Sequence, residues 1–165
     1  AWRKDADIPL VVPEINAGIL KATDRIIANP NCSTIQMVLV LAPLHRKYGI
    51  SRVVVSTYQS VTGSGAKGYV QLENERKGIE TPLFFPHHID LNLIPEAGAF
   101  DGQDYTSEEI KLEFETRKII GDQSINVTAT CVRVPVYGGH SEAVNVEFDK
   151  PYEIEDIREL LLRTS

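Results

Sequence analysis

A single cysteine, Cys32, lies at the junction between a turn and a long apolar segment. The turn is Asn29-Pro30-Asn31, whose residues break regular structure, and the segment that follows favours a helix. Cys32 is therefore predicted in the first helical turn, where free N–H groups and partial positive charge stabilise a thiolate. A thiolate at this position is a candidate nucleophile. The alternative is a buried structural cysteine, because free cysteine is among the most buried residue types.

A second candidate for chemistry is His140, which follows Gly138-Gly139 in a predicted turn. A histidine titrates near neutral pH, and a glycine turn can present it as an acid or a base. A solvated loop histidine is the alternative. Arg133 lies on the preceding strand, where alternation directs its side chain away from its valine neighbours and allows it to bind a carboxylate through two parallel hydrogen bonds. Cys131 shares that direction but lies in a continuous apolar strand, so we interpret it as structural.

The segment Gly63-Ser64-Gly65-Ala66-Lys67-Gly68 fits the pattern G-x-G-x-x-G. A Rossmann fingerprint is disfavoured because a proline-rich connection follows, rather than a second parallel strand. A P-loop is excluded because glycine, not serine or threonine, follows Lys67. We interpret the loop as one whose backbone approaches a ligand. His87-His88, with Asp90 nearby, could hold a metal, but no third ligand recurs at a useful spacing, which favours solvated loop histidines.

Composition narrows the function classes. The chain has 165 residues, a net charge of −6, 42% hydrophobic and 24% charged residues, which is ordinary for a globular domain. Apolar runs are too short to span a membrane, and the absence of a basic stripe argues against nucleic acid. Two cysteines without other marks of a secreted scaffold indicate a reducing, cytoplasmic compartment. Because the chain begins without Met and ends in a helical pattern, we expect a piece of a longer protein.

The elements that must position these residues follow from periodicity and turn signals. Strands are predicted at 9–16, 26–28, 51–61, 125–136 and 143–148, and helices at 32–48, 63–77, 106–120 and from 153. Thr106 and Glu109 form a capping-box start, and residues 81–105 form a long irregular connection. The turn at 137–142 is predicted to join the last two strands as an antiparallel hairpin. Together these elements predict an α+β fold with a mixed, mostly antiparallel sheet and helices packed on one face.

Several motifs together closely resemble the aspartate-β-semialdehyde dehydrogenases of bacteria, over almost the whole chain. They are Asn31-Cys32-Ser33-Thr34, Tyr58-Gln59-Ser60-Val61-Thr62-Gly63, Glu108-Glu109-x-Lys111, Cys131-Val132-Arg133-Val134-Pro135, Gly139-His140-Ser141-Glu142, and Trp2-Arg3 before Val11-Val12-Pro13-Glu14-Ile15-Asn16. One departure is Thr62, where the family usually has serine. The resemblance implies a glyceraldehyde-3-phosphate-dehydrogenase-like C-terminal domain. Residues 1–31 would be the last strands of a nucleotide-binding domain whose remainder is missing, and 32–165 a catalytic and dimerisation domain whose C-terminal end is missing.

The resemblance also implies the roles of the site residues. The catalytic residues would be Cys32 as nucleophile, His140 as general acid and base, and Gln59 as the group that orients a thioester. Arg133 would bind the substrate carboxylate and Glu108 its amino group. Phosphate would be bound by Arg3, Asn31 and Lys111, and the nicotinamide cofactor would be approached by Thr62 and Gly63. It further implies NADP as cofactor, no metal, aspartate semialdehyde and phosphate as substrates, and a homodimer that binds neither nucleic acid nor membrane. The pathways implied are the biosynthesis of lysine through diaminopimelate, threonine and methionine.

Alternatives share part of this pattern. N-acetyl-glutamyl-phosphate reductase and glyceraldehyde-3-phosphate dehydrogenase use the same pairing of cysteine and histidine, but the Asn-Cys-Ser-Thr context and the pair Glu108 and Lys111 favour the aspartate enzyme. A non-catalytic dimerisation module or a degenerate paralogue is the alternative from another class. Retention of Cys32 and His140 argues against degeneracy of the parent protein. It does not argue for activity of the isolated piece, which we expect to be inactive.

Overall fold

A computed structural model describes residues 2–102 and 104–164. Residues 1 and 165, the outer ends of the two predicted domain ranges, and residue 103 of the predicted connection lie outside the described residues. The α-helices are α1 Pro13–Asn16, α2 Cys32–Tyr48, α3 Ala66–Arg76, α4 Ser107–Ile120 and α5 Ile154–Arg163. The strands are β1 Ile50–Ser60, β2 Asn126–Val134 and β3 Ser141–Phe148. Short 3-10 helices lie at Ala17–Ile19 and Val61–Ser64. The α+β class is confirmed, and the main helices and strands lie close to their predicted positions.

The three strands form one mixed sheet in the order β2-β1-β3. Contacts run in step along β1 and β2, with Asn126 donating to the Ser51 carbonyl and Val61 donating to the Val136 carbonyl, so these strands are parallel. The Ser51 hydroxyl donates to the Glu147 carbonyl, whereas the other end of β1 contacts the start of β3, so this pair is antiparallel.

The predicted hairpin of β2 and β3 is therefore wrong, because β1 lies between them. The connection at 137–142 crosses the end of β1 instead of closing a turn between neighbours. The connection is held to β1, since the Ser60 hydroxyl donates to the Gly138 carbonyl at 2.6 Å. Adjacent strands are about 4.8 Å apart, so six residues are long enough to cross one strand.

Helix α2 begins and ends where the sequence predicts. The Asn31 side chain accepts hydrogen bonds from the amides of Ser33 at 2.9 Å and Thr34 at 3.4 Å, and so caps the first turn. At the other end the chain leaves the helix at Gly49, whose φ of 69° suits glycine. The first residue of the helix, Cys32, is thereby fixed at the end of a rigid element.

The predicted strand at 9–16 is a correction. Only Leu10 pairs, in an isolated parallel bridge with Ala28, and the predicted strand at 26–28 is likewise reduced to this bridge. The Asn16 side chain accepts from the Val12 amide and donates to the Leu10 carbonyl, both at 2.9 Å, and so occupies groups that a neighbouring strand would use. Pro13 then starts α1, since proline is well suited to the first turn of a helix.

The chain divides into two compact units. The first contains the described residues up to Val54, Lys111–Thr128 and those from Val144 onward, and a core of Leu10, Val12, Ala28, Val38 and Ile119. The second contains the described residues of Val55–Ile110 and Ala129–Ala143, with a core of Val61, Leu72, Phe85, Ile89 and Ile94. Each unit therefore has its own apolar support for the side chains described below.

The start of α4 confirms the predicted capping box. The Glu109 carboxylate accepts from both the amide and the hydroxyl of Thr106, each at 2.8 Å. The same side chain also accepts from the Cys131 amide at 3.2 Å. Across the part of the chain that the structure describes, no helix has the length and apolar character needed to cross a membrane.

Candidate active site

The first unit holds a group of side chains around Cys32 that we call the thiol cluster: Arg3, Asn31, Cys32, Lys111 and Glu115. Cys32 is exposed and is the first residue of α2. The predicted position is thus confirmed, but the cap modifies the expectation of free amides, because Asn31 already binds those of Ser33 and Thr34. The structural alternative, a buried cysteine, is wrong for Cys32.

Two contacts join the residues before Cys32 to other parts of the first unit. The Asn31 amide donates to Glu115 Oε2 at 2.6 Å, and Arg3 Nε donates to the Asn29 carbonyl at 2.7 Å. Arg3 Nη1 also lies 3.5 Å from Glu115 Oε1. A turn that begins the helix is thus held from both sides, which limits the positions open to Cys32.

Glu115 is the residue of this cluster that the sequence analysis missed. It is fully buried on α4, and burial raises the pKa of its carboxyl, while the Asn31 amide and then the charges of Arg3 and Lys111 oppose that rise in pKa. A signal was present in the sequence, because Glu115 falls on the same helical stripe as Leu112 and Ile119, which are both buried. A carboxylate on an apolar stripe needs partners.

The second unit holds a group that we call the histidine cluster: Thr62, Gly63, Glu108, Arg133 and His140. The half-buried His140 accepts a hydrogen bond from the Ser60 amide at Nδ1, at 3.0 Å. A neutral imidazole with Nδ1 as acceptor carries its proton on Nε2. Burial and then the Arg133 charge lower the pKa of His140, whereas the Glu108 charge opposes this shift in pKa. His140 is therefore mainly neutral at pH 7 and offers an Nε2–H donor.

Hydroxyl groups fix the turn that carries His140. The Ser60 and Thr62 hydroxyls lie 2.7 Å apart, and both donate to the Gly138 carbonyl, at 2.6 Å and 2.9 Å. Gly63 packs directly on the imidazole, since a Cβ there would lie 2.7 Å from His140 Cε1 and 2.8 Å from Nε2. The histidine is thus held rigidly by contacts with β1 and Gly63 that the sequence analysis did not predict.

Arg133 is buried near the same group, as strand alternation predicts. Its Nη1 donates to the Ser60 carbonyl at 2.9 Å, and its guanidinium lies 5.8 Å from the centre of the Phe85 ring. Gln59, 1% exposed, is the penultimate residue of β1. The structure thus brings Arg133 together with His140 and Gly63, and adds Ser60 and Phe85 as supporting residues that sequence reasoning did not assign.

Cys131 behaves as the sequence analysis predicts. It is fully buried in β2, and burial raises the pKa of its thiol to about 12. Glu109, Glu108 and Glu142 add negative charge, which raises the pKa in the same direction. Among residues 2–102 and 104–164, no group of three His, Cys, Asp or Glu side chains is arranged to hold a metal ion.

Comparison with known proteins places the chain in a family. Residues 41–164 match the family model described as "Semialdehyde dehydrogenase, dimerisation domain". The chain therefore belongs to the semialdehyde dehydrogenase family, whose members are oxidoreductases.

Individual relatives agree with one another. The chain is 52% identical to the aspartate-semialdehyde dehydrogenase of Aquifex aeolicus, over 98% of this chain and 50% of that protein. A crystal structure of aspartate semialdehyde dehydrogenase II from Vibrio cholerae complexed with ASA has a TM-score of 0.90 and 44% identity, over 99% of this chain and 51% of that one. The Candida albicans enzyme with NADP has a TM-score of 0.67 and 28% identity, over 96% and 45%.

These matches confirm the resemblance stated from the sequence and the glyceraldehyde-3-phosphate-dehydrogenase-like character of the fold. The chain spans about half the length of the curated relatives that it matches.

Proposed function

We propose that the protein of which this chain is part is an NADP-dependent aspartate-semialdehyde dehydrogenase, which interconverts L-aspartyl-4-phosphate and L-aspartate-4-semialdehyde through a cysteine thioester. The observation that carries the proposal is an exposed thiol at the first residue of α2, in a chain 52% identical to an aspartate-semialdehyde dehydrogenase. Sulfur suits the reaction because a thiolate is a strong nucleophile and leaves well.

In the oxidative direction, the Cys32 thiolate adds to the aldehyde carbon. The neutral His140 donates a hydrogen bond from Nε2–H to the aldehyde oxygen and stabilises the negative charge that this oxygen carries in the thiohemiacetal, until loss of the hydride restores the carbonyl. When bound, NADP supplies the hydride acceptor. Phosphate oxygen then attacks the thioester carbon, the C–S bond breaks, and the thiolate of Cys32 is regenerated. Biosynthesis runs these steps in reverse, so the acyl phosphate is reduced and phosphate is released.

The proposal assigns the remaining residues to binding. Arg133 binds the substrate carboxylate, Glu108 binds the amino group, and Gln59 orients the thioester. The burial of Arg133 beside His140 supports this assignment, because a buried guanidinium strongly favours an anion. For phosphate, the thiol cluster offers Arg3, Asn31 and Lys111.

The cofactor assignment rests on Thr62 and Gly63. Gly63 is exposed and has no side chain to block a flat ring from the backbone, so the residues present fit a nicotinamide. The relative from Candida albicans was solved with NADP. We assign the pyrophosphate to a nucleotide-binding domain that residues 1–31 complete, and residues 32–165 to the catalytic and dimerisation domain.

A homodimer is part of the proposal. The matched family model is named for dimerisation, and α2 exposes Leu39 at 40% and Val40 at 45%, apolar side chains of the kind that a second copy covers. We also keep the cytoplasmic compartment, since Cys32 and Cys131 are both free thiols.

Substrate choice tests the proposal. The longer protein that carries this chain and residues 1–165 alone are each assayed for phosphate-dependent reduction of NADP. We expect turnover by the longer protein with aspartate semialdehyde, and none with N-acetylglutamate semialdehyde or glyceraldehyde-3-phosphate. Residues 1–165 alone should not turn over, because misplacing the nicotinamide by about 1 Å costs on the order of 10²-fold. Preference for another aldehyde contradicts the substrate assignment, and a robust rate from residues 1–165 contradicts the division of labour.

A further inference from the structure

We propose that Glu115 is a positioning residue of the phosphate site, whose carboxylate holds the Asn31 main chain and the Arg3 guanidinium in the arrangement that receives the anion. The inference rests on the proposed function, in which Arg3, Asn31 and Lys111 bind phosphate. We do not assign Glu115 a direct contact with phosphate, because a carboxylate and a phosphate in contact would repel each other. It acts through its two partners.

The first partner is the main chain that leads into α2. Glu115 Oε2 accepts from the Asn31 amide at 2.6 Å, a short contact typical of a charged acceptor. Asn31 is 5% exposed, and its side chain caps the helix that starts with Cys32. One carboxylate oxygen therefore fixes Asn31, which is both a predicted phosphate ligand and the residue before the predicted nucleophile.

The second partner is the guanidinium of Arg3. Glu115 Oε1 lies 3.5 Å from Arg3 Nη1, while Arg3 Nε donates to the Asn29 carbonyl at 2.7 Å. The Arg3 side chain is 32% exposed and would otherwise be mobile. These two contacts hold its guanidinium in one orientation. The Glu115 carboxyl also lies close enough to Arg3 and Lys111 for their charges to lower its pKa, and in its ionised form it would offset the repulsion between these two cations.

The burial of Glu115 argues against a purely structural role for this residue. Only 1% of the Glu115 side chain is exposed, and burying a carboxylate is unfavourable, which raises its pKa. An apolar residue between Leu112 and Ile119 would continue the stripe on α4 without that cost. A costly buried charge beside predicted ligands is typical of a functional site.

Two substitutions separate position from charge. Glu115→Gln keeps an oxygen for the Asn31 amide, but its NH₂ then faces Arg3 Nη1, donor against donor, and displaces the guanidinium. Glu115→Asp keeps the charge but is one methylene shorter, so it cannot reach both partners. The matched control is Glu113→Gln on the same helix, whose carboxylate pairs with Arg117 at 2.7 Å and is 45% exposed.

The readout is the phosphate concentration that half-protects Cys32 from iodoacetamide, measured in the longer protein by peptide mapping, with thermal unfolding to verify folding. We expect Glu115→Gln and Glu115→Asp each to raise that concentration about 10-fold, and Glu113→Gln to leave it within about twofold. In an Arg3→Ala background, Glu115→Gln should add less than about twofold, because its effect passes through Arg3.

The outcomes are distinct. If the unsubstituted protein is protected and both Glu115 variants are protected at the same concentration, the positioning role is wrong while the proposed function stands. A Glu115→Gln effect that persists in full without Arg3 likewise overturns it. If phosphate does not protect the unsubstituted protein at all, the phosphate assignment in the proposed function fails, and this inference fails with it.

Discussion

Cys32 is exposed at the first residue of α2, whereas Cys131 is buried in the middle of β2. The helix start leaves the sulfur at the surface and surrounds the preceding turn with Arg3 and Glu115. The strand instead buries the sulfur, and burial raises the pKa of that thiol to about 12. The same side chain is thus available as a nucleophile in one region and inert in the other, because burial decides whether a thiolate can form.

The largest expected effect comes from removing each sulfur in turn from the longer protein. Cys32→Ala should lower kcat by about 10⁴-fold or more, because a covalent mechanism loses its nucleophile. Cys131→Ala should retain kcat within a few-fold and cost about 1 kcal/mol of unfolding free energy, from a small cavity in the core. Steady-state kinetics and denaturant unfolding measure the two. Equal loss of kcat in both variants would break the comparison.

Alkylation of the two thiols should differ by the next largest factor. At pH 8, a thiol whose pKa is about 12 has on the order of 10³-fold less thiolate than an ordinary cysteine. Iodoacetamide should therefore label the exposed Cys32 far faster than Cys131, whose burial both suppresses the thiolate and hinders access of the reagent. Peptide mapping over time gives both rates in one sample. Labelling of Cys131 first would reject the assignment of the nucleophile.

His140 tests whether the acid–base group is also held as described. His140→Gln should lower kcat by about 10²-fold to 10³-fold, because the developing oxyanion loses the Nε2–H donor. Since the pKa of His140 lies below its usual value, the neutral form dominates above about pH 6.5, and the acidic limb of the kcat/KM profile should lie below that pH.

The linkage of His140 to stability has a definite sign. The unfolded chain binds the proton at a higher pH than the folded chain, so unfolding free energy is full above the unfolded pKa and falls as pH drops below it. In His140→Gln this component should vanish, which denaturant unfolding at pH 5 and pH 8 measures. If the acidic limb of the kcat/KM profile were unchanged in His140→Gln, the role of His140 would be contradicted.

The smallest effect is expected at Gly63. A Cβ there would lie 2.7 Å from the His140 ring and 3.4 Å from Arg133 Nη1, so Gly63→Ala should displace both. We expect kcat/KM to fall about 10-fold. Overpacking typically lowers the unfolding free energy by about 1 to 3 kcal/mol, so the kinetics of the variant are measured at low temperature, where it stays folded. Gly18→Ala is the control, because its Cβ would meet nothing within 4 Å. Wild-type kinetics in Gly63→Ala would contradict this packing.

The sequence predicted what local signals determine. Asn31 and Gly49 bound α2, and Thr106 with Glu109 starts α4, because caps act within a few residues. It failed where distant partners decide. The predicted hairpin was wrong because β1 lies between β2 and β3, and short-range patterns do not show strand order.

The candidate site divides in the same way. The positions of Cys32 and Arg133 followed from a helix start and from strand alternation. The place of Glu115 on an apolar stripe indicated that it needs partners, but its role was missed because its partner, Asn31, lies 84 residues away in the chain. The rigid hold on His140 was also missed, because it depends on the Ser60 amide, 80 residues distant. Side chains held by distant backbone groups leave no short motif in the sequence.

Trapping the acyl-enzyme intermediate tests whether Cys32 forms a thioester with the substrate. The longer protein is mixed with aspartate semialdehyde and NADP in the absence of phosphate, quenched in acid, digested and examined by mass spectrometry. We expect an aspartyl group on the peptide that contains Cys32, and we expect it to disappear when phosphate is added before the quench. An acyl group on Cys131 or on another residue, or turnover with no acylated Cys32 peptide, would contradict it.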